Sequence, residues 1–478
     1  MRIMFSPTRL NNRLGVLLLF LADAATLIGI FYLALVVRVQ LLPEFIKVIP
    51  SFTQDIRAYW WIFLFWLTFF VYEEGYSRRF ALWDEVKFLW KSSFFAMIAV
   101  FTILFISKKG PDFSRTLVLT MGALSFIILP FIRPRVKKAL YRLSILTRKV
   151  LIIGSGEAAL KAREAVLNEP NLGYEVVAFV DDEGPRELAC CKVHRRIKSI
   201  ERYIKAGGIH DVIIAKPELP KEQLIEMVNH IQHKAENTLF IPDISGIAVS
   251  GTEIRHFFRE QTMLIEVKNN LANPLIYATK RAIDYLAAAA IAAILILPML
   301  LIALRIKLAS PGPATYRQQR IGKNGRKFFC YKFRTMYPDA AKRLDEILVS
   351  DPEAKKEWEK SYKIKNDPRI TPIGDFLRRT SLDELPQLLN ILRGEMSLVG
   401  PRPVVQEEIQ KYYKEDSVFY FRVPPGLTGL WQVSGRSNTT YEYRVSLDTW
   451  YVKNWTLWLD AMILFKTVRV VLKREGAV

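Results

Sequence analysis

Apolar residues gather into four blocks in the first third of the chain, at roughly residues 14–37, 59–72, 88–106 and 116–132. The first, third and fourth approach or reach the length at which a helix crosses a bilayer. The second is short and has to borrow flanking residues. The first run is too long for a signal peptide, and further spans follow it. Arg2, Arg9 and Arg13 precede the first block, and Arg133, Arg135, Lys137, Lys138, Arg142, Arg148 and Lys149 follow the fourth. The excess of cations at both ends predicts that the four-span bundle, residues 1–147, begins and ends on the cytoplasmic side.

From residue 148 the pattern changes to buried strands alternating with helical runs. Lys149 to Ile153 reads as a strand, G-S-G-E-A-A follows at 154–159, and a helix runs to about Leu167. Glu175 to Val180 and Asp211 to Ala215 read as further strands. Such alternation predicts a parallel sheet of the Rossmann type over residues 148–260. Gly154, Gly156 and Ala159 fit the G-x-G-x-x-[GA] fingerprint, with Asp181 near the ribose-reading position. The site either binds a nucleotide or belongs to a fold that keeps only the glycine turn. The segment is short for a dehydrogenase and lacks a Tyr-x-x-x-Lys pair.

A fifth apolar run lies between Asn273 and Arg305, interrupted by Pro298. Full crossing would carry Arg317, Arg320, Lys323, Arg326, Lys327, Lys332 and Arg334 to the outer face, against the charge rule. A kinked, re-entrant helix over about 280–307 avoids this, because proline removes one helix hydrogen bond; an ordinary fifth span with a bend is the alternative. Beyond it, residues 329–336 read as a short strand carrying alternate cations, and residues 339–361 as one or two charged amphipathic helices. Residues 450–471, with Trp450, Trp455 and Trp458, suit either a helix in the membrane interface or one packed in a core.

Charge narrows the partners. Among 478 residues, 68 Lys and Arg stand against 47 Asp and Glu, a formal charge of +21. This balance suits an anionic membrane surface or phosphorylated substrates; the absence of RNA-binding and zinc-finger patterns argues against nucleic acid. Three cysteines, Cys190, Cys191 and Cys330, make neither a disulfide framework nor a metal cluster.

The chemistry concentrates near Thr380. Asp383 and Glu384 are adjacent carboxylates, Arg378 and Arg379 precede them, and G-P-R-P follows at 400–403. One acid could attack phosphorus while cations hold the oxyanions. Ser381 to Glu384 also fits S-x-x-E, a capping box. Pro386 is tolerated only near a helix start, which predicts that the pair occupies first turns, where the helix dipole favours an anion. Lys332, Arg334, Arg378, Arg379, Arg402 and Arg436 are the candidates for holding phosphates.

The stretches Y-K-F-R-T-M (331–336), S-L-D-E-L-P-Q (381–387), M-S-L-V-G-P-R-P (396–403), P-G-L-T-G-L-W-Q-V-S-G-R (425–436) and L-D-T-W-Y-V-K-N (447–454) occur in the order found in the polyprenyl-phosphate hexose-1-phosphate transferases. From about Asn273 onward the chain resembles that family, and the whole chain resembles its long form. The resemblance implies a membrane-associated α/β catalytic domain, residues 261–478, at the cytoplasmic face of a bacterial inner membrane. It implies that Asp383 attacks the β-phosphorus of a UDP-sugar, that Glu384 assists, and that Mg²⁺ bridges Asp383 and the diphosphate. Undecaprenyl phosphate is the implied acceptor, galactose the implied sugar with glucose as the alternative, O-antigen or related surface polysaccharide the implied product, and a homodimer the implied assembly. Leu297 stands before Pro298 where small members carry serine. A nucleotide-sugar dehydratase or epimerase built on Gly154, or a non-catalytic assembly scaffold, are the competing readings.

Overall fold

The computed structural model describes residues 7–45, 59–106, 114–183, 185, 187–188, 191–195, 200–243, 253–257, 262–266, 269–353, 355, 364, 367–435 and 440–473. The chain divides into two compact units, Met1–Ser245 and Gly246–Val478.

In the first unit, α1 (Pro7–Val36), α2 (Trp60–Tyr72), α3 (Leu82–Ile106) and α4 (Arg115–Arg142) form a bundle. Its core takes Leu27 and Phe31 from α1, Trp66 and Phe70 from α2, Leu89, Ala96 and Val100 from α3, and Leu117, Met121 and Leu129 from α4. Leu89, Ala96 and Val100 recur at helical spacing, so one stripe of α3 faces inward while Phe94, Phe95 and Ile98 stay exposed. The segments around α1, α3 and α4 are long and apolar enough to cross a membrane; α2 is shorter. At 1.5 Å per residue α2 reaches only about 20 Å, less than a bilayer core.

A buried group of charges ties the bundle together. Arg133 is 1% exposed. It donates from Nε to Glu85 at 3.0 Å, from Nη1 to Asp23 and from Nη2 to the Gly75 carbonyl. Lys137 binds both oxygens of Glu85 at 3.2 and 3.1 Å, and the Tyr76 hydroxyl donates to Asp23 at 2.9 Å. Arg133 and Lys137 are therefore more than solvated flanking cations: two positive charges neutralise two carboxylates inside the fold. Asn171, from the turn before the second strand of the α/β layer, donates to Glu85 and to the Phe80 carbonyl. That contact, with Tyr141 donating to the Asn171 carbonyl at 3.1 Å, places bundle and α/β layer in one unit.

That layer contains β1 (Arg148–Ile153), α5 (Glu157–Asn168), β2 (Tyr174–Val180), β3 (Glu187–Leu188), β4 (Cys191–His194), α6 (Ile200–Gly207), β5 (Asp211–Ile214), α7 (Lys221–Gln232) and β6 (Asn237–Phe240). The strands are ordered β3-β4-β2-β1-β5-β6, parallel except for β3 against β4. Leu151 and Ile153 face one apolar cluster, Val150 and Ile152 the other, so β1 is covered on both sides. The chain steps from β1 to β2 on one flank and later to β5 on the other, so the strand order reverses at β1.

The second unit begins with the pair β7 (Glu253–Phe257) and β8 (Thr262–Glu266). Asn273 then caps α8 (Pro274–Ala309), accepting from the amides of Leu275 and Ile276 at 3.0 and 3.3 Å. The helix runs unbroken through Pro298. Its first half is anchored by Lys280, which reaches Asp460 at 2.6 Å, and by Asp284, which accepts from Ser397 Oγ at 2.8 Å. Near its other end Ile302 and Ile306 pack with Phe333 and Leu377. Between these anchors Ile294 and Leu297 are 76% and 64% exposed.

The remainder comprises an antiparallel hairpin, β9 (Thr315–Ile321) with β10 (Lys327–Phe333), then α9 (Ala340–Ser350), α10 (Pro372–Thr380) and α11 (Gln387–Leu392). The parallel pair β11 (Ser397–Val399) and β12 (Gly426–Thr428) follows. Last come α12 (Tyr441–Lys453) and α13 (Leu457–Lys473). The aromatic run expected as one helix, interfacial or core-packed, is instead split at Asn454 into two. Trp455 is 2% exposed and packs with Leu459 and Ile463 in the core, while Phe465 and Val468 remain outside.

Removing one partner from a buried ion pair typically costs ~3–5 kcal/mol, because the remaining charge is stranded. Arg133→Met takes the charged partner from Asp23 and leaves Glu85 with Lys137 and Asn171, and thermal unfolding in detergent is expected to show a loss of that size. An unchanged midpoint would refute this role.

Candidate active site

The carboxylate pair lies between two helices. Thr371 caps α10 through its hydroxyl, accepting from the Gly374 amide at 3.0 Å. That helix ends at Ser381, whose φ of 57° is left-handed, and Leu382 to Glu384 form a single 3₁₀ turn. Pro386 then opens α11. Both local expectations are corrected here: Ser381 makes no side-chain cap, so there is no capping box, and the pair precedes the helix that Pro386 starts. A left-handed residue ends a helix, so Ser381 closes α10 and cannot open α11.

Lys332, on β10, faces this turn. Its ammonium is 2.6 Å from Glu384 and 3.6 Å from Asp383. Asn390 on α11, 0% exposed, holds the strand: it accepts from the Tyr331 amide at 3.1 Å and donates to the Phe329 carbonyl at 2.7 Å. Losing either bond would leave a buried backbone group unsatisfied, at about 1–3 kcal/mol. Lys332 is thus fixed between two main-chain anchors and the acids.

Arg402, just beyond β11, lies 3.7 Å from Glu384, and its guanidinium is 6.0 Å from the Trp431 ring. Arg320 on β9 shares the cleft, together with Gln387 and Gln432. Arg320 is anchored by Gln318 at 2.6 Å and Glu408 at 3.5 Å. Two cations, Lys332 and Arg402, therefore lie beside Glu384, and Arg320 lines the same cleft. Arg320, Gln387 and Gln432 are additions to the expected set. The signal for Arg320 is the polar run T-Y-R-Q-Q-R, which forms most of β9, but its side is settled only by pairing with Phe328 across the hairpin.

The other candidate arginines divide. Arg378 donates from Nε to Thr335 Oγ1 at 3.0 Å and acts electrostatically on Asp383. Arg379 pairs with Asp375 on the exposed side of α10. Arg334 is buried and points at the end of α8, donating to the Ser310 and Pro311 carbonyls at 2.8 and 2.7 Å. Arg334 thus satisfies carbonyls left open at a helix C-terminus. Arg436 lies outside the described residues.

Burial pushes the Asp383 carboxyl up from its ordinary value; Lys332, Arg378 and Arg402 pull it down, Glu384 pushes it up, and the balance stays raised. Among the described residues no group of three or more metal-ligating side chains occurs. A Mg²⁺ ion fits the pair even so, since it is commonly held by one or two carboxylates with substrate phosphates and water.

In the α/β layer, Gly154 adopts φ 115° where β1 turns into α5, a conformation suited to glycine. Gly156 stands at the N-terminus of α5. Asp181, at the end of β2, is 5% exposed and has both oxygens engaged: Ser155 Oγ donates at 2.6 Å and Lys216 Nζ at 2.7 Å. Lys216 was absent from the expected set; it follows β5, and only the sheet order brings it beside β1.

Comparison with known proteins matches residues 275–474 to the family described as bacterial sugar transferase, and residues 71–242 to a CoA-binding domain. Undecaprenyl-phosphate galactose phosphotransferase of Salmonella typhimurium is 37% identical over 433 residues, 90% of this chain and 88% of the relative. UDP-galactose-lipid carrier transferase of Erwinia amylovora is 39% identical over 412 residues, 86% of this chain and 85% of its own. UDP-glucose:undecaprenyl-phosphate glucose-1-phosphate transferase of Escherichia coli is 33% identical over 330 residues, 67% of each chain. With identity of this order along most of its length, the chain is a transferase and belongs to the bacterial sugar transferase family.

Proposed function

We propose that this protein transfers a hexose 1-phosphate from a UDP-sugar to undecaprenyl phosphate, releasing UMP, through a phosphosugar bound covalently to Asp383. The observation that carries the reading is the pair Asp383–Glu384 held by Lys332 in a cleft that also contains Arg320 and Arg402. An oxygen of Asp383 attacks the β-phosphorus, a P–O bond forms, and the bond to UMP breaks. A phosphate oxygen of the lipid then attacks the same phosphorus, and Asp383 leaves as a carboxylate. Lys332 and Arg402 neutralise negative charge as it gathers around phosphorus. Glu384 positions the acceptor or takes a proton. Bound Mg²⁺ would add Lewis-acid polarisation of the diphosphate.

Galactose is the sugar proposed first, because two relatives named for it align over most of this chain; glucose is second, by the third. The product would begin O-antigen or a related surface polysaccharide at the inner membrane, with catalysis on the cytoplasmic side. A re-entrant course for α8 is supported by anchorage of both its halves to the same unit: Lys280 to Asp460, and Ile306 to Leu377. A crossing helix would carry its second half away from these partners. The reversal of strand order at β1 supports a Rossmann-like reading of residues 148–242.

Two outcomes test the mechanism. Asp383→Asn is expected to lower UMP release by on the order of 10³-fold or more, as loss of a nucleophile does, whereas Arg379→Gln, on the exposed side of α10, changes it less than about threefold. Radiolabelled transfer from a panel of UDP-sugars measures both, and near-normal rates in the Asp383 variant would overturn the proposal. The pH profile gives the second test. The nucleophile must be ionised, so kcat/KM is retained above the raised Asp383 value and lost as pH falls through it. The acid limb is expected above 3.8. A limb at or below that value would contradict the assignment.

A further inference from the structure

Asp181 and Lys216 sit where open α/β sheets bind ligands. They follow β2 and β5, the strands flanking β1, at the carboxyl ends of the sheet where its order reverses. The Lys216 stem lies 3.1 Å from where a Cβ on Gly154 would be, so it passes over the glycine turn on its way to Asp181. Around Gly156, by contrast, nothing lies within 4 Å of such an atom, and the residue is exposed. A phosphate can approach the start of α5 at Gly156, while the group placed to read a ribose is occupied.

We propose that this site binds the ribose–diphosphate portion of a nucleotide by exchange of one internal ion pair: Lys216 leaves Asp181 for the diphosphate, and ribose hydroxyls replace it as donors to Asp181. The proposal rests on the Rossmann-like reading above and adds Lys216 as the residue that reports on both halves of the ligand.

The physical constraint is the burial of Asp181. A carboxylate that loses a charged donor in a buried place has to find another. A bare anion draws Lys216 away and leaves Asp181 with two uncharged donors, the Ser155 hydroxyl at 2.6 Å and the Glu183 amide at 3.4 Å. A bare ribose finds Asp181 taken. Only a ligand carrying both groups satisfies all four partners, so its two halves bind cooperatively. The matched CoA-binding domain, dinucleotides and nucleotide sugars share this chemistry, and it selects against inorganic phosphate.

Calorimetry on the full chain in nanodiscs, with the Asp383→Asn substitution to silence turnover, separates the sources. The probes are inorganic diphosphate, ADP, coenzyme A and NADH. At least one ribose-bearing probe is expected to bind about tenfold or more tighter than inorganic diphosphate, a factor matching one hydrogen bond to a charged group. Asp181→Asn frees Lys216 and is expected to tighten inorganic diphosphate while erasing the preference for ribose. Lys216→Ala weakens every probe, and Lys216→Arg restores part of the binding. Diphosphate affinity unmoved or weakened by Asp181→Asn would overturn the exchange, as would absence of binding by all four probes to a protein with an unchanged unfolding midpoint. UMP release by the otherwise wild-type chain is measured separately, so failure here is distinct from failure of the transferase mechanism.

Discussion

Two neighbouring carboxylates repel each other, and each resists burial, so Asp383 and Glu384 can share a cleft wall only if a cation stands against both. Lys332 is that cation, at 3.6 and 2.6 Å. Much of the second unit serves to place it. Asn390 clips β10 to α11, which begins just after the dyad turn, so strand and acids are set by one helix. The left-handed Ser381 turns the chain out of α10 and presents the dyad to that strand. Arg402 approaches from the other side, on the segment after β11.

That segment is held from below. The Val399 carbonyl accepts from Lys280 at 3.3 Å, from Tyr451 at 3.1 Å and from Ser397 Oγ at 2.9 Å. Lys280 belongs to α8 and Tyr451 to α12, so the apolar helix and the C-terminal helices converge on the strand that carries Arg402 to Glu384. Other buried charges among the described residues are paired in the same way, Arg133 with Asp23 and Glu85, and Lys216 with Asp181.

Much of this was legible in sequence because it depends on local pattern. The apolar blocks gave α1, α3 and α4; a continuous apolar strand gave β1; and Asp383–Glu384 stood out as adjacent acids among arginines. What failed depends on contacts between distant residues. Arg133 and Lys137 have the same residue types as solvated flanking cations, and only packing reveals Glu85 opposite them. Arg320 is settled by the hairpin partner of its strand. Arg334 alternates with Lys332 as expected, yet it lies beyond the end of β10, where the C-terminus of α8 presents carbonyls to it. Ser381 matched a capping pattern but takes the left-handed conformation that ends a helix.

The central claim is a covalent bond between Asp383 and a phosphosugar. Mass spectrometry of the protein, mixed with UDP-hexose in the absence of lipid acceptor and quenched rapidly, tests it most directly. The account predicts one hexose-phosphate on the peptide containing Asp383, discharged when undecaprenyl phosphate is added. Unmodified protein at a time when UMP has been released in stoichiometric amount, or a phosphosugar on another residue, would contradict it.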